Sequence, residues 1–197
     1  TAATKTTKKE AASKTVATKK IVADKTAVEV KPVTRAENEL KIDYEIAFKP
    51  SVLFVASEAN PFAGTGGLAD VIGSLPKTLA QNGNYDVRVA IPLYGSGSLA
   101  YRAMMRFEGN FNAPVAWRNQ YCGLFSLKYE GVSYYFIDNE YYFGRDNLYG
   151  YFDDGERFAF FSRAVLEAMR YMDYYPGVLH CHDWQTALSV IYLKTIY

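Results

Sequence analysis

Residues 51–70, SVLFVASEANPFAGTGGLAD, decide the fold of this chain. The stretch opens with an apolar run rich in Val, Leu and Phe at residues 51–57, which is typical of a parallel strand covered on both faces. It continues through Gly64-Thr65-Gly66-Gly67 into a helical pattern. Glycines at such a junction let the backbone approach a ligand closely, and the free N–H groups of a helix start favour an anion such as a phosphate. A tight turn without a ligand has the same spacing, so this pattern alone leaves phosphate binding open.

The rest of the chain alternates strand and helix patterns around a strand-rich middle. Pro76 within the first helix pattern suggests a kink or an early stop, and residues 138–154 are predicted to form a long loop. Helices that alternate with strands at both ends predict an α/β fold, with a Rossmann-like parallel sheet and a β-rich insertion. Strands are predicted at residues 85–92, 107–117, 121–129, 132–137 and 178–181, and helices at residues 68–79, 156–172 and 184–196.

The first 49 residues differ in composition from the rest. Residues 1–20 are almost entirely Ala, Thr and Lys, with six Lys against one Glu. They offer too little apolar surface to offset chain entropy, so residues 1–49 are predicted to be a disordered tail or linker. A basic arm for an anionic partner is the alternative. Because no aromatic residues are interleaved with these lysines, no nucleic-acid partner is expected.

Composition also bears on the compartment of the protein. The 197 residues carry a net charge of +1, and the basic first segment has no apolar run long enough for a signal peptide or a membrane span. Cys122 and Cys181 are far apart in sequence and have neither disulfide nor metal-site spacing. We therefore expect reduced thiols in a cytoplasmic protein without a membrane partner.

A second loop that carries chemistry follows the predicted strand at residues 178–181. His180-Cys181-His182-Asp183 should share an edge of the sheet with the glycine loop, because parallel sheets bind ligands beyond the carboxyl ends of their strands. We expect the two histidine side chains to point to opposite faces of the strand, so no metal site is predicted. One histidine presented to a pocket, with Asp183 capping the next helix, is the functional interpretation. The alternative is that both histidines simply satisfy local backbone groups.

Three segments in the same order resemble bacterial glycogen synthases and plant starch synthases. They are EANPFAGTGGLADVIGSLPKTLAQNG at residues 58–83, FIDNEYYFGRDNLYGYFDDGERFAFF at residues 136–161 and VLHCHDWQTAL at residues 178–188. The resemblance implies a two-lobed glycosyltransferase of the GT-B type, with the active site in the cleft between two Rossmann-like lobes. It implies transfer of glucose, with retention of configuration, from ADP-glucose or UDP-glucose to the non-reducing end of an α-1,4-glucan. ADP-glucose is the donor we favour, and no cofactor is implied.

The resemblance assigns donor binding to the glycine loop. The family's loop near the donor phosphates matches Thr65, Gly66 and Gly67, and Asp70 lies at the start of the following helix. The family usually has Lys immediately before Thr-Gly-Gly, and this chain has Gly64 there. A point charge near the phosphates is thereby lost, so either another cation serves or activity is reduced.

The resemblance also implies two residues that contact sugars. The family's histidine near the transferred glucose matches His182, which we take as the catalytic residue. An aspartate on the cleft side of the central segment matches Asp153, which is assigned to acceptor or sugar binding, and the neighbouring Asp154 is the alternative.

Residues 50–197 would then form the N-terminal, acceptor-side lobe, truncated at its C-terminal end. The implied partners are the α-1,4-glucan acceptor, the nucleotide-glucose donor and the C-terminal lobe of the same protein. Without the cations of that second lobe we expect no turnover. The alternative is a non-catalytic glucan- or nucleotide-binding module of the same fold. A nicotinamide-dependent oxidoreductase is disfavoured, because Ala69 stands where the Gly-x-Gly-x-x-Gly pattern has its third glycine.

Overall fold

Six strands form one sheet within the part of the chain that the structure describes. The computed structural model describes residues 49–95 and 99–197, without the side chain of Leu99. The strands are β1 (Ser51–Val55), β2 (Asp86–Pro92), β3 (Arg106–Val115), β4 (Arg118–Tyr129), β5 (Val132–Asp138) and β6 (Val178–Cys181). The helices are α1 (Gly67–Gln81), α2 (Leu99–Arg102), α3 (Glu140–Phe143), α4 (Asp154–Met172) and α5 (Ala187–Thr195), and a 3₁₀ turn at Trp184–Thr186 precedes α5.

The order of the strands is β3-β4-β5-β2-β1-β6. The four strands β5, β2, β1 and β6 are parallel, whereas β4 pairs antiparallel with β5, and β3 pairs antiparallel with β4. The chain passes from β1 through α1 to β2 on one side, and from β5 through α4 to β6 on the other. The strand order therefore reverses between β1 and β6, which is where open α/β sheets bind their ligands. The predicted Rossmann-like fold is confirmed.

Different helices cover the two faces of the sheet. On one face Val52 and Phe54 of β1 pack in a cluster with Ile72 of α1. On the other face Leu53 and Val55 pack in a second cluster with the apolar side of α4. This alternation buries both sides of β1, as its continuous apolar run predicts.

Helix α4 has the amphipathic pattern predicted for residues 156–172. Its apolar stripe is buried because it faces the sheet, and the stripe consists of Phe158, Phe161, Val165, Met169 and Met172.

Three details differ from the sequence-based expectations. Helix α1 runs past Pro76 to Gln81, so the early stop is wrong; Pro76 is buried, and its packing offsets the lost hydrogen bond. The loop predicted at residues 138–154 contains the short helix α3, which Asn139 caps through its side chain. The β-rich insertion extends the parallel sheet itself, since β5 pairs with β2.

The tail predicted at residues 1–49 lies, except for Lys49, outside the described residues. Among the helices of the described part, none has both the length and the apolar character needed to cross a membrane.

Candidate active site

The glycine loop and the loop after β6 meet at one edge of the sheet. β1 and β6 are adjacent and parallel, so both loops leave from carboxyl ends. The backbone N–H of His182 donates to the carbonyl oxygen of Val55 at 3.0 Å, which extends the pairing into the loop. The predicted shared edge is confirmed, and it lies at the reversal of the strand order.

A buried carboxylate fixes the glycine loop. Oε2 of Glu58 accepts a hydrogen bond from the backbone N–H of Thr65 at 2.7 Å, and Oε1 accepts from the Thr65 hydroxyl at 2.8 Å. The hydroxyl of Tyr149 also donates to Oε1, at 2.6 Å, and accepts in turn from the Ser57 hydroxyl at 2.7 Å. Burial, together with the hydrogen bond to Glu58, raises the pKa of Tyr149, so its hydroxyl stays protonated and remains a donor.

Glu58 therefore positions Thr65 before any ligand arrives. Charge-assisted hydrogen bonds of this length are the stronger ones in proteins. Two of them hold the loop through Thr65, and the third, from Tyr149, holds the carboxylate itself, so the loop is pre-organised. The carboxylate is almost fully buried, which removes the screening that water would provide.

The glycines of the loop differ in their surroundings. A Cβ on Gly64 would stand 2.5 Å from the Cβ of Ala69 and 2.9 Å from Oδ1 of Asn60, so a side chain fits there only if the loop moves. Beside Gly66 and Gly67 a Cβ would meet no atom within 4 Å, so the loop is open on that side. Gly64, at the position where the resemblance leads one to expect Lys, therefore fits the close packing around it, because Ala69 and Asn60 leave no room for a Cβ.

Asp70 lies in the first turn of α1 and is tied back to the loop. Its Oδ1 accepts a hydrogen bond from the side-chain amide of Asn60 at 2.6 Å, and Asn60 also donates its backbone N–H to Ala69. The side chain of Asp70 is exposed beside the open side of the loop. As a carboxylate it can accept from hydroxyl groups, but it repels a phosphate.

The imidazole of His182 has a buried ring nitrogen that makes no hydrogen bond to a described residue. The ring stacks on Phe54 at a centroid distance of 5.6 Å, and Nε2 is buried without a hydrogen-bond partner among the described residues. Burial lowers the pKa of His182, and the neighbouring His180 lowers it further, so the imidazole is neutral at neutral pH. A neutral imidazole with an unused nitrogen can donate to or accept from a ligand.

The expectation that His180 and His182 point to opposite faces is wrong. Their ring centroids are 4.3 Å apart, and both rings pack on Phe54. The physical reason is the period of a strand: residues two apart point to the same side. Within the described residues, no group of three or more His, Cys, Asp or Glu side chains is placed to hold a metal ion.

Asp183 has a strained backbone. Its φ is 63° and its ψ is 178°, a region that side-chain-bearing residues rarely enter. Its Oδ1 accepts from the backbone N–H of Trp184 at 2.7 Å, as the predicted capping role requires. Strain of this kind persists only where the surroundings impose it and is concentrated at functional sites.

The side chain of Asp153 forms its hydrogen bonds with Arg145 and not with either of the two loops. Arg145 holds both carboxylate oxygens at 2.6 Å, and this pairing lowers the pKa of Asp153. Asp154, the alternative, instead accepts from the backbone N–H groups of Gly150 and Tyr151. None of the hydrogen bonds between described residues connects Asp153 to the glycine loop or to His182, so its role in sugar binding stays a prediction.

A sequence model of the starch synthase catalytic domain matches residues 51–197. The chain belongs to this family. Glycogen synthase from Clostridium botulinum (strain Eklund 17B / Type B) is 55% identical over 146 residues, which cover 74% of this chain and 30% of that protein. Glycogen synthase from Lactobacillus acidophilus is 56% identical over 136 residues, which cover 69% of this chain and 28% of that protein. The chain thus spans about 30% of the length of the curated relatives it matches.

A solved structure of the starch synthase family has a similar fold. It is the catalytic domain of starch synthase IV from Arabidopsis thaliana bound to ADP and acarbose, with a TM-score of 0.69 and 30% sequence identity. The match covers 76% of this chain and 31% of that chain.

Two residues of the candidate site are not predicted from the sequence. For Glu58 the sequence does hold a signal, since a charged residue that closely follows a buried strand lies where parallel sheets bind their ligands. Tyr149 had no such signal, because its contact with Glu58 spans 91 positions of sequence.

Proposed function

We propose that this chain is the acceptor-side lobe of a retaining glucosyltransferase that elongates an α-1,4-glucan from ADP-glucose. One observation carries the proposal: in a member of the starch synthase family, the glycine loop and the His182 loop meet where the strand order reverses. The rest of the protein would supply the second lobe, because the chain spans about 30% of its relatives.

Each loop would handle a different part of the substrates. The open side of the glycine loop, at Gly66 and Gly67, would receive the donor phosphates at the start of α1. Asp70 beside it would accept hydrogen bonds from hydroxyl groups, since a carboxylate cannot donate to phosphate. Thr65 would shape this loop rather than bind freely, because Glu58 already holds its hydroxyl.

His182 would act on the transferred glucose. Retaining transfer develops positive charge on the sugar ring, so groups that hold the glucose hydroxyls accelerate the reaction when they bind the transition state more strongly than the ground state. The neutral ring of His182, with Nε2 free, is suited to such a hydrogen bond. Asp183, strained at the same edge, would add a carboxylate that accepts from a sugar hydroxyl.

The choice of donor rests on a relative. The solved structure of starch synthase IV is bound to ADP and acarbose. ADP is the diphosphate that ADP-glucose would leave after transfer, and we therefore favour ADP-glucose over UDP-glucose.

The test is glucose transfer by the full-length protein that contains this chain. Radiolabelled glucose from ADP-glucose or from UDP-glucose would be offered with glycogen as acceptor, and labelled polymer would be measured. We expect incorporation with retained α configuration, at a higher kcat/KM for ADP-glucose. If neither donor labels the polymer while the protein still binds glycogen, the chain belongs to a non-catalytic glucan-binding module instead.

A further inference from the structure

The hairpin of β3 and β4 projects beyond the sheet at the edge that holds the candidate active site. β4 pairs with β5 only from Gly123, opposite Asp138, onwards, so residues 118–122 extend past the carboxyl end of β5. This arm is supported, since the side chain of Asn139 donates to the carbonyl of Tyr121 at 2.7 Å. The tip stands three strands from β1, about 14 Å along the sheet at the usual strand spacing.

The tip of the arm exposes a large aromatic ring. A two-residue turn, Ala116-Trp117, joins the strands, and Ala116 has a left-handed φ of 50°. Trp117 is 88% exposed, which is unusual for the side chain with the largest apolar surface. It borders a cavity of about 240 Å³ whose lining includes Arg118 and Glu156.

Hydrogen-bonding capacity remains next to this ring. Nη1 of Arg118 donates to Oε1 of Glu156 at 2.5 Å, and the Tyr142 hydroxyl donates to the same oxygen. Oε2 of Glu156 has no hydrogen bond among the described residues, and a guanidinium carries more N–H donors than one bond uses. Arg118 and Glu156 form an ion pair, so the two side chains together carry no net charge.

We propose that Trp117, Arg118 and Glu156 form a second glucan-binding subsite that holds glucose units of the acceptor chain remote from the reacting end. The apolar face of a glucose ring packs on an aromatic side chain, and its hydroxyls pair with both a donor and an acceptor. A neutral polymer of glucose fits a neutral pair beside an exposed ring better than a phosphate or a nucleic acid does. Because the tip lies on the same sheet edge as His182, one chain can occupy both places. This inference rests on the proposed function.

Acceptors of different length distinguish an effect at this subsite from an effect at the active site. In the full-length protein, Trp117→Ala should raise the KM for glycogen roughly two- to tenfold, the range that a lost aromatic contact gives. The KM for ADP-glucose should change little, and so should the KM for a short acceptor such as maltotriose, because neither of these two molecules is expected to reach the tip from the active site. Trp117→Phe should retain most of the affinity for glycogen, and Arg118→Gln should weaken it in the same direction.

Tyr175→Ala is the matched control. Tyr175 is 72% exposed and precedes β6, so it lies at the opposite edge of the sheet and should leave every constant unchanged. An equal KM for glycogen in the wild type, in Trp117→Ala and in Arg118→Gln would overturn the proposal. So would an equal loss with maltotriose, which would mean that Trp117 acts at the reacting end.

Electrophoresis through a gel that contains glycogen gives a readout without catalysis. Wild type and Tyr175→Ala should be retarded more than Trp117→Ala. If no donor supports transfer but this difference persists, the proposed function fails and the subsite stands. Equal retardation of all three proteins overturns the subsite, as does a change of oligomeric state in Trp117→Ala on size exclusion, which would make the tip a contact between subunits.

Discussion

The glycine loop and the loop after β6 leave the same edge of the sheet from neighbouring strands, yet their buried polar groups differ in whether they are hydrogen-bonded. In the glycine loop, Glu58 is buried and its carboxylate accepts three hydrogen bonds, from Thr65 and Tyr149. In the other loop, Nε2 of His182 is buried without a partner among the described residues, and Asp183 has a strained backbone. Satisfied groups hold a shape, whereas an unused buried nitrogen and stored strain favour binding a ligand. We therefore expect Glu58 and Thr65 to act as a scaffold for the first loop, and the second loop to supply groups for chemistry.

The scaffold role of Glu58 predicts the largest effect on stability. Glu58→Ala should lower the free energy of unfolding by about 3 kcal/mol, because hydrogen bonds to a charged group contribute ~1.5–3 kcal/mol each and the buried donors lose their partner. Urea denaturation measures the change. Glu130→Ala is the control, since its ion pair with Lys77 is on the surface. A loss for Glu58→Ala no greater than that of the control would contradict the scaffold role.

The chemical role proposed for His182 predicts a large effect on rate. In the full-length protein His182→Ala should lower kcat about a hundredfold, the loss expected when one pre-organised group is removed, while the melting temperature changes little. His180→Ala removes the neighbouring, exposed ring on the same face and should cost less than about threefold, because it leaves Nε2 of His182 in place. Similar rates for the wild type and for His182→Ala would exclude a catalytic role for this loop.

The close packing around Gly64 predicts a loss of stability when a side chain is added there. Gly64→Ala should destabilise the chain by about 2 kcal/mol, because the new Cβ would meet the start of α1 at Ala69. Gly66→Ala is the matched control and should cost less than about 1 kcal/mol, since its backbone is extended and its surroundings are open. Equal costs at the two positions, measured by thermal unfolding, would show that the loop adapts at residue 64.

Strain at Asp183 predicts a gain in stability at the expense of function. Asp183→Gly should raise the free energy of unfolding by about 1 kcal/mol, since glycine adopts this backbone conformation without penalty. The same variant should lower glucose transfer, because the carboxylate is lost. Asp183→Asn keeps both the strain and the cap on Trp184, so its stability should match the wild type. Destabilisation by Asp183→Gly would mean that the cap outweighs the strain.

The lowered pKa of His182 predicts the smallest effect, a pH dependence of stability. Below its ordinary pKa of about 6.5 the unfolded chain binds a proton that the folded chain binds less readily, so stability falls as the pH drops below about 6.5. His182→Phe should remove this contribution and flatten the profile between about pH 5 and pH 7. An unchanged slope in His182→Phe, from urea denaturation at each pH, would assign the dependence to other groups.

Much of the fold could be predicted from local patterns. The apolar run of β1 and the amphipathic stripe of α4 follow from the spacing of neighbouring residues, and both are confirmed. Of the two expectations for Pro76, a kink or an early stop, the stop is wrong, because burial of the proline ring, a tertiary effect, outweighs one lost hydrogen bond. The faces of His180 and His182 could have been predicted correctly, since strand alternation alone decides them.

The candidate site could be predicted only in outline. The family resemblance assigned roles to Thr65, Gly66, Gly67, Asp70 and His182, and those roles stay predictions. The sheet brings the two loops that carry these residues to one edge. The sequence gives no sign that Arg145 pairs with Asp153 or that Tyr149 contacts Glu58. Such contacts depend on how the segment after β5 folds back on the sheet.

By itself, the sequence determined the strand, glycine loop and helix at residues 51–70, because periodicity and glycine placement act between neighbours in the chain. Tertiary structure alone decided which polar groups of the site are satisfied and which remain free. It buried Glu58 beneath Tyr149, left Nε2 of His182 unpaired among the described residues and placed Trp117 at the tip of a projecting hairpin. The physical reason is that burial and hydrogen bonding join residues far apart in sequence, which only the packing of the sheet brings together.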